Sequence, residues 1–282
     1  MLALLFLVRA QFLMGTICEI STASPRDADV AFAEGRRIES LISTWREDSE
    51  LSRVNRGEVL RPSPEVFSLL QDAMRTATET DGAFDPLVRP LVDAWRTRDD
   101  GAVPDGATLA NAVARANPAN ATLANGTIAL AAGAAFEEGA FGKGYALDRM
   151  LAAIHGDAVI NFGGQIAVRG AHQVTIAHPL HRERPLVTLT LRDASLSTSS
   201  GSEKTFVVAG RRFSHLIDPR TGEALPPRGS VSVIDRSAFR ADILSTALYV
   251  MGPERGLAWA RSHQVVAIFI TESGEITWSR EP

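Results

Sequence analysis

The second half of this chain is a succession of short extended runs, and the helical signals that interrupt them follow no βαβ rhythm. After "YALDRMLAAIH", a helix by its apolar spacing, comes "DAVINFGGQIAVRG", in which two extended runs meet at Gly163-Gly164. The runs "QVTIAH", "LVTLTL", "KTFVVAG", "RRFSHLID" and "VSVID" follow, each bounded by turn residues. A helix pair, "ADILSTALYVMG" and "PERGLAWARSH", then precedes a closing hairpin, "VVAIFITESGEITWS". A doubly wound sheet needs strict alternation of strand and helix, so this order predicts an α+β fold.

The first third reads as strand, helix and helix. "MGTICEI" is extended, and "DADVAFAEGRRIESLISTW" carries apolar residues at helical spacing. Ser63 supplies an N-cap with proline at the first helical position of "PEVFSLLQDAMRTATET", and "DG" stops that helix. The Ala-, Asn- and Gly-rich stretch over 98–133 predicts one short helix and a hairpin. No repeat and no linker divides the chain, so residues 1–282 are expected to form one domain.

The opening "MLALLFLVRA" is too short to span a bilayer, which takes roughly 20 apolar residues. It lacks the basic start and the cleavage site of a signal peptide. A buried first strand is the expectation, and a remnant of an export signal is the alternative. With no export signal or lipid anchor visible, the chain as it stands reads as cytoplasmic, or as a cell-envelope or periplasmic protein if its true N-terminus is missing.

Composition narrows the partners. A net charge of −4, with both signs spread along the chain, argues against a nucleic-acid surface and a polybasic membrane patch. A single cysteine, Cys18, excludes an internal disulfide and a cysteine-rich metal site, so a metal here must use oxygen or histidine.

Four segments carry residues suited to chemistry. In "EEGAFGKGYALD" a lysine between glycines at a helix start suits either an anion-holding loop or a tight turn. In "FRADILSTALYVMG" Asp242 and Thr246 stand four apart on one helix face. That pair suits Mg²⁺, which takes one or two protein oxygens and keeps several waters, or Asp242 merely complements the helix dipole. In "RRFSHLIDPRTGEALPP" alternation puts His215 and Ile217 on one side of a strand before a rigid turn. There His215 either moves a proton near neutrality or is simply hydrogen-bonded. In "TETDGAFDPLVRPLVDAWR" Phe84 and Asp85 either stack on and hydrogen-bond a heterocycle or form a helix C-cap with a buried ring.

Taken in order, "MGTICEI", "ISTWREDSELSRVN", "TDGAFDPLVRPLVDAW", "GAFGKGYALD", "VINFGGQIAVRG", "LSTSSGSEKTF", "HLIDPRTG" and "SVSVIDRSAFRADILSTALYVMG" resemble the FAD:protein FMN transferase, or ApbE-type flavin transferase, family over nearly the whole chain. The resemblance implies a T-fold-like α+β domain with a mixed, mainly antiparallel sheet and flanking helices. It implies that FAD and Mg²⁺ bind and that the FMN half passes to a Ser or Thr of a client flavoprotein of a redox chain, with release of AMP. It assigns FAD contacts to Met14, Trp45, Ala83, Phe84, Asp85, Glu137, Lys143 and Ile217, and metal contacts to Asp242, Thr246 and a backbone carbonyl near Ala140. Among residues suited to the chemistry, His215 is the best placed to accept the hydroxyl proton. Glu137 stands where the family commonly has Asp, and Ser202 where it commonly has Asp after Ser-Gly. The same site with water as acceptor would make an FAD pyrophosphatase, and without turnover an FAD-binding protein.

Overall fold

The structure is a computed structural model that describes residues 7–281, with the side chain of Ala140 outside the described atoms. Eight strands form one sheet and meet in chain order: β1 (Leu7–Leu13), β2 (Thr16–Thr22), β5 (Ala158–Phe162), β6 (Gln165–Arg169), β9 (Ser195–Ser200), β12 (Ser230–Asp235), β13 (Val266–Ile270) and β14 (Ile276–Trp278). All of these neighbours pair antiparallel. Among the described residues one parallel bridge, Val88 to Ala135, lies outside the named strands.

Between these strands the chain makes excursions. From β2 to β5 it runs through α1 (Pro25–Ile42), α2 (Glu50–Asn55), α3 (Pro64–Glu79), α4 (Arg89–Ala94), α5 (Gly106–Arg115), the hairpin β3 (Ala121–Ala124) and β4 (Thr127–Leu130), and α6 (Gly142–Ala152). The hairpin β7 (Ala171–Ala177) and β8 (Pro185–Arg192) separates β6 from β9, and β10 (Thr205–Val208) and β11 (Arg211–Ser214) separate β9 from β12. The helix pair α7 (Ala238–Met251) and α8 (Pro253–Ser262) joins β12 to β13. Beyond that pair β13 returns beside β12 and pairs with it in antiparallel sense.

Helices α1, α6 and α7 cover one face of the sheet, where Phe32, Ile38, Phe141, Leu147, Ile160 and Ile243 are buried together. The hairpin β7–β8 covers the other face, burying Val174, Ile176 and Leu191 against Val168, Leu196, Ile268 and Ile270. A satellite cluster of Leu91, Trp95, Phe206, Phe213 and Ile217 ties α4 and α5 to the hairpin β10–β11. A cleft opens between this satellite and the main body.

Caps set several helix starts. Ser24, Ser63 and Ser237 each accept a backbone N–H from the first turn of the helix that follows, satisfying a donor that has no intrahelical partner. The expected helices "PEVFSLLQDAMRTATET", "ADILSTALYVMG" and "PERGLAWARSH" form as α3, α7 and α8, and the hairpins of the second half form. The expectation of a buried first strand fails for its described part. Among the described residues strand β1 is the sheet edge, paired with β2, and Leu7 and Val8 are exposed. Residues 1–6 of that expectation lie outside the described residues.

Candidate active site

The "GAFGKGYALD" stretch neither forms an open loop nor ends in a turn. Gly142, Lys143 and Gly144 are the first turn of α6, and that turn is pressed against α7. A Cβ on Gly144 would lie 2.4 Å from the carbonyl oxygen of Ala238 and 2.6 Å from Cβ of Asp242, so only glycine permits this approach. Its N–H donates to Asp242 Oδ2 at 2.9 Å. One turn further on, Asp148 accepts from the backbone N–H groups of Ala238 at 2.7 Å and Phe239 at 3.0 Å and from Ser237 Oγ at 2.7 Å. Asp148 thus sits at the positive end of α7, and the motif fastens the helix that carries Asp242.

Asp242 is buried. Besides Gly144, its donors are Gln165 Nε2 to Oδ1 at 2.5 Å and Ser197 Oγ to Oδ1 at 3.4 Å. Burial pushes its pKa up to about 7, against the charge of Lys143 and the hydrogen bonds from Gly144 and Ser197, which favour the ionised form. Thr246, one turn along, lies 3.2 Å from Ser199 Oγ. Strand β9 supplies this hydroxyl floor: Ser197 and Ser199 meet Ser245 on α7 at 3.4 and 2.8 Å, and Thr198 meets Ser232 at 2.7 Å.

The 83–88 segment forms the opposite wall. Asp85 is 3% exposed and accepts the Leu87 N–H at 2.8 Å, and burial pushes its pKa up to about 6 against that bond. Phe84 is buried edge-on against Phe141, with ring centroids 6.5 Å apart. Asn55 braces the strand-like approach to Glu137, donating to the Phe136 carbonyl at 2.9 Å and accepting the Phe136 N–H at 2.8 Å. Glu137 N–H then donates to the Pro86 carbonyl at 2.8 Å, locking the two segments together. The Glu137 carboxylate receives Arg98 Nη2 on both oxygens at 2.7 Å, and the Arg98 guanidinium lies over the Trp45 ring at 4.4 Å. Trp45 itself is 67% exposed at the cleft mouth.

The third wall comes from the satellite. Strand β11 ends at Ser214, so His215 lies in the loop beyond it and not on a strand as its alternation suggests. Its N–H donates to the Lys204 carbonyl at 3.0 Å, and its ring Nδ1 lies 3.3 Å from the same oxygen. A carbonyl only accepts, so that contact requires the proton on Nδ1 and leaves Nε2 with its lone pair. Burial, with the charges of Lys143 and Lys204, pushes the ring pKa down to about 4 against the Lys204 carbonyl bond. The turn that follows is rigid. Arg220 pairs with Asp218 through two side-chain bonds of 2.9 and 2.7 Å, and buried Trp95 donates Nε1–H to the Gly222 carbonyl at 2.7 Å.

These walls enclose a cavity of about 250 Å³. Trp45, Ala83, Phe84, Asp85, Glu137 and Lys143 line it, and so do His215, Ile217, Asp242 and Thr246. Met14 is not in the lining: it is half-buried against the main core, at φ 48°, and its N–H donates to Glu39 Oε1 at 2.6 Å. Ala140 closes the short 3₁₀ turn Glu138–Ala140 that precedes α6. Among the lining residues outside the sequence-based set are Arg98, Gln165 and Ser199. Arg98 sits in a stretch whose Ala, Asn and Gly content masks it. Gln165 directly follows the Gly163-Gly164 turn, and that turn is its only sequence signal.

Among the described residues no group of three or more His, Cys, Asp or Glu is arranged for a metal. A hard cation that keeps most of its water needs less. Asp242 is a buried carboxylate whose hydrogen-bond donors are all neutral, Thr246 adds a hydroxyl, and Gln165 Oε1 is buried with no partner. That donor set fits Mg²⁺ and suits neither zinc nor a soft metal.

The ApbE family profile matches residues 14–270, and this chain belongs to the ApbE family. A FAD:protein FMN transferase of Klebsiella pneumoniae (strain 342) is 31% identical over 258 residues, covering 86% of this chain and 82% of that protein. The crystal structure of the ApbE protein of Thermotoga maritima superimposes with a TM-score of 0.90 at 25% identity, covering 98% of this chain and 97% of that one. The flavin transferase ApbE of Vibrio cholerae does so with a TM-score of 0.82 at 25% identity, covering 97% and 96%.

Proposed function

We propose that this chain transfers the FMN half of FAD to a Ser or Thr hydroxyl of a client flavoprotein in a Mg²⁺-dependent reaction. The observation that carries the proposal is that Asp242, Thr246, Lys143 and His215 converge on one cleft whose far wall is Ala83, Phe84 and Asp85. A dinucleotide with an aromatic ring system at one end and a pyrophosphate at the other needs such a division. Phe84 and Trp45 supply apolar and stacking surface, and Lys143 supplies charge where an anion would lie.

The reaction is a phosphoryl transfer. The acceptor oxygen forms a bond to the FMN-side phosphorus, the bond from that phosphorus to the bridging oxygen breaks, and AMP leaves carrying the bridging oxygen. His215 enters neutral, with Nε2 free, and takes the hydroxyl proton. A bound pyrophosphate places negative charge near the ring and raises its pKa toward neutrality, which improves it as a base. Bound at Asp242 and Thr246, Mg²⁺ would neutralise phosphate charge. Lys143 adds to that neutralisation from the first turn of α6, and the packed α6–α7 pair holds both groups in fixed relation.

Incubation with FAD and Mg²⁺, with and without a purified acceptor domain, tests the proposal. AMP release that depends on the acceptor supports transfer. Equal release in its absence identifies water as the acceptor and FAD hydrolysis as the activity.

A further inference from the structure

We infer that Gln165 is a positioning residue for Asp242 and the acceptor for a water carried by the cation bound there. The inference rests on the metal assignment proposed above and adds a residue to it. Gln165 begins β6 directly after the Gly163-Gly164 turn, is 8% exposed and lines the cleft. Its amide faces Asp242 Oδ1 at 2.5 Å, and only the NH₂ end fits there, because an amide oxygen against a carboxylate would repel it.

This orientation leaves Oε1 on the other side of the amide, and Oε1 is buried without a partner. An unpaired buried acceptor is costly, so its persistence beside a functional cleft calls for an occupant. The neighbouring backbone and hydroxyl donors are already committed: Gly144 N–H to Oδ2 of Asp242, Ser245 to the Asp242 carbonyl, Ser199 to Ser245, and Thr246 to Ser199. A Mg²⁺ ion retains several waters, each a strong donor, and a water on the cation at Asp242 supplies what Oε1 lacks. One amide then serves two ends of the site. Its N–H fixes the rotamer of the carboxylate ligand, and its oxygen orients a coordinated water, the division of labour found in outer shells of metal sites.

Gln165→Leu keeps the size and removes both ends. Mn²⁺ used as a Mg²⁺ surrogate, titrated into the FAD-bound protein and followed by electron paramagnetic resonance, should bind about 10- to 100-fold more weakly than in the unaltered protein. Acceptor labelling should show the same shift in the Mg²⁺ concentration needed for half-maximal rate, with much of the rate recovered at saturating Mg²⁺. Gln165→Glu, which retains an oxygen at both ends but turns the carboxylate-facing donor into a like charge, should fail to restore wild-type geometry and give a Mn²⁺ spectrum distinct from that of the unaltered protein. Unchanged Mn²⁺ affinity in Gln165→Leu, with or without a fall in melting temperature, overturns the inference. Asp242→Asn measured in parallel separates the two levels: if it too leaves Mn²⁺ affinity unchanged, the metal assignment itself is wrong, whereas loss in Asp242→Asn alone removes only the role of Gln165.

Discussion

The backbone N–H of Gly144 donates to the carboxylate of Asp242 at 2.9 Å, in a contact so close that a Cβ at position 144 would sit 2.6 Å from Cβ of Asp242. The glycine is a packing requirement between α6 and α7, and through it the Asp242 carboxylate is held in place. Gly144→Ala should therefore lower stability by about 1–3 kcal/mol, the usual cost of overpacking a core, and depress FMN transfer at the same time. Thermal melting together with a transfer assay checks this; a fully active variant with an unchanged melting temperature would mean that the helices are free to separate.

Asp242→Ala should abolish transfer, and Thr246→Ala should reduce it less, because a neutral hydroxyl is a weaker ligand than a carboxylate. Both variants should still bind FAD through the 83–85 wall. Transfer by Asp242→Ala at the unaltered rate in Mg²⁺ would refute the assignment.

His215→Ala should bind FAD with little change and slow transfer by roughly 10²–10⁴-fold, the usual contribution of a general base. The imidazole also leaves a signature in stability. Its pKa in the folded protein is pushed below the unfolded value of 6.5, to about 4, so the unfolded chain binds more protons between these values. The stability it contributes is present above about pH 6.5 and is lost as pH falls through 4. Melting temperatures measured from pH 7 to pH 4 should fall in the apo protein, and part of that fall should be missing in His215→Gln.

Asp85 behaves in the opposite sense. Burial raises its folded pKa to about 6, so the ionised carboxylate costs stability above that pH and the cost vanishes as pH falls toward its unfolded value of 3.8. Asp85→Asn keeps an oxygen for the Leu87 N–H and removes the charge. It should raise the melting temperature at pH 8, do little at pH 4, and weaken FAD binding. A stability gain equal at both pH values would show that the charge is not the cause.

Trp45 is mostly exposed and stacks with Arg98, which in turn holds Glu137. Trp45→Ala should leave the melting temperature nearly unchanged and weaken FAD affinity, as read by flavin fluorescence. A large drop in stability with unaltered FAD affinity would move Trp45 from the site to the scaffold.

Much of this architecture was legible in the chain because local signals and tertiary packing agree. Ser63 and Pro64 start α3, the "ESGE" turn closes the last hairpin, apolar alternation marks β7 and β8, and a continuous apolar run marks β13. Strand β9 was not legible as a strand. Its sequence, "SLSTSS", has no apolar alternation, and it is a central strand because its hydroxyls find partners on α7 and on Ser232 of β12. Lone periodicity also misplaced His215, since the chain leaves β11 at Ser214 to meet Lys204. At the site, Asp242 and Thr246 declared themselves by helical spacing, whereas Gln165 meets Asp242 77 residues away and Arg98 meets Glu137 39 residues away in sequence, which no local pattern reveals.

The central claim is that the product is a covalent FMN phosphoester on a hydroxyl of another protein. Its most direct test is intact-protein and peptide mass spectrometry of a flavin-accepting domain incubated with this protein, FAD and Mg²⁺, with AMP quantified in the same reaction. The account predicts one FMN adduct on a single Ser or Thr for each AMP released, and no adduct with Asp242→Ala. Stoichiometric FMN and AMP in solution with an unmodified acceptor would contradict it.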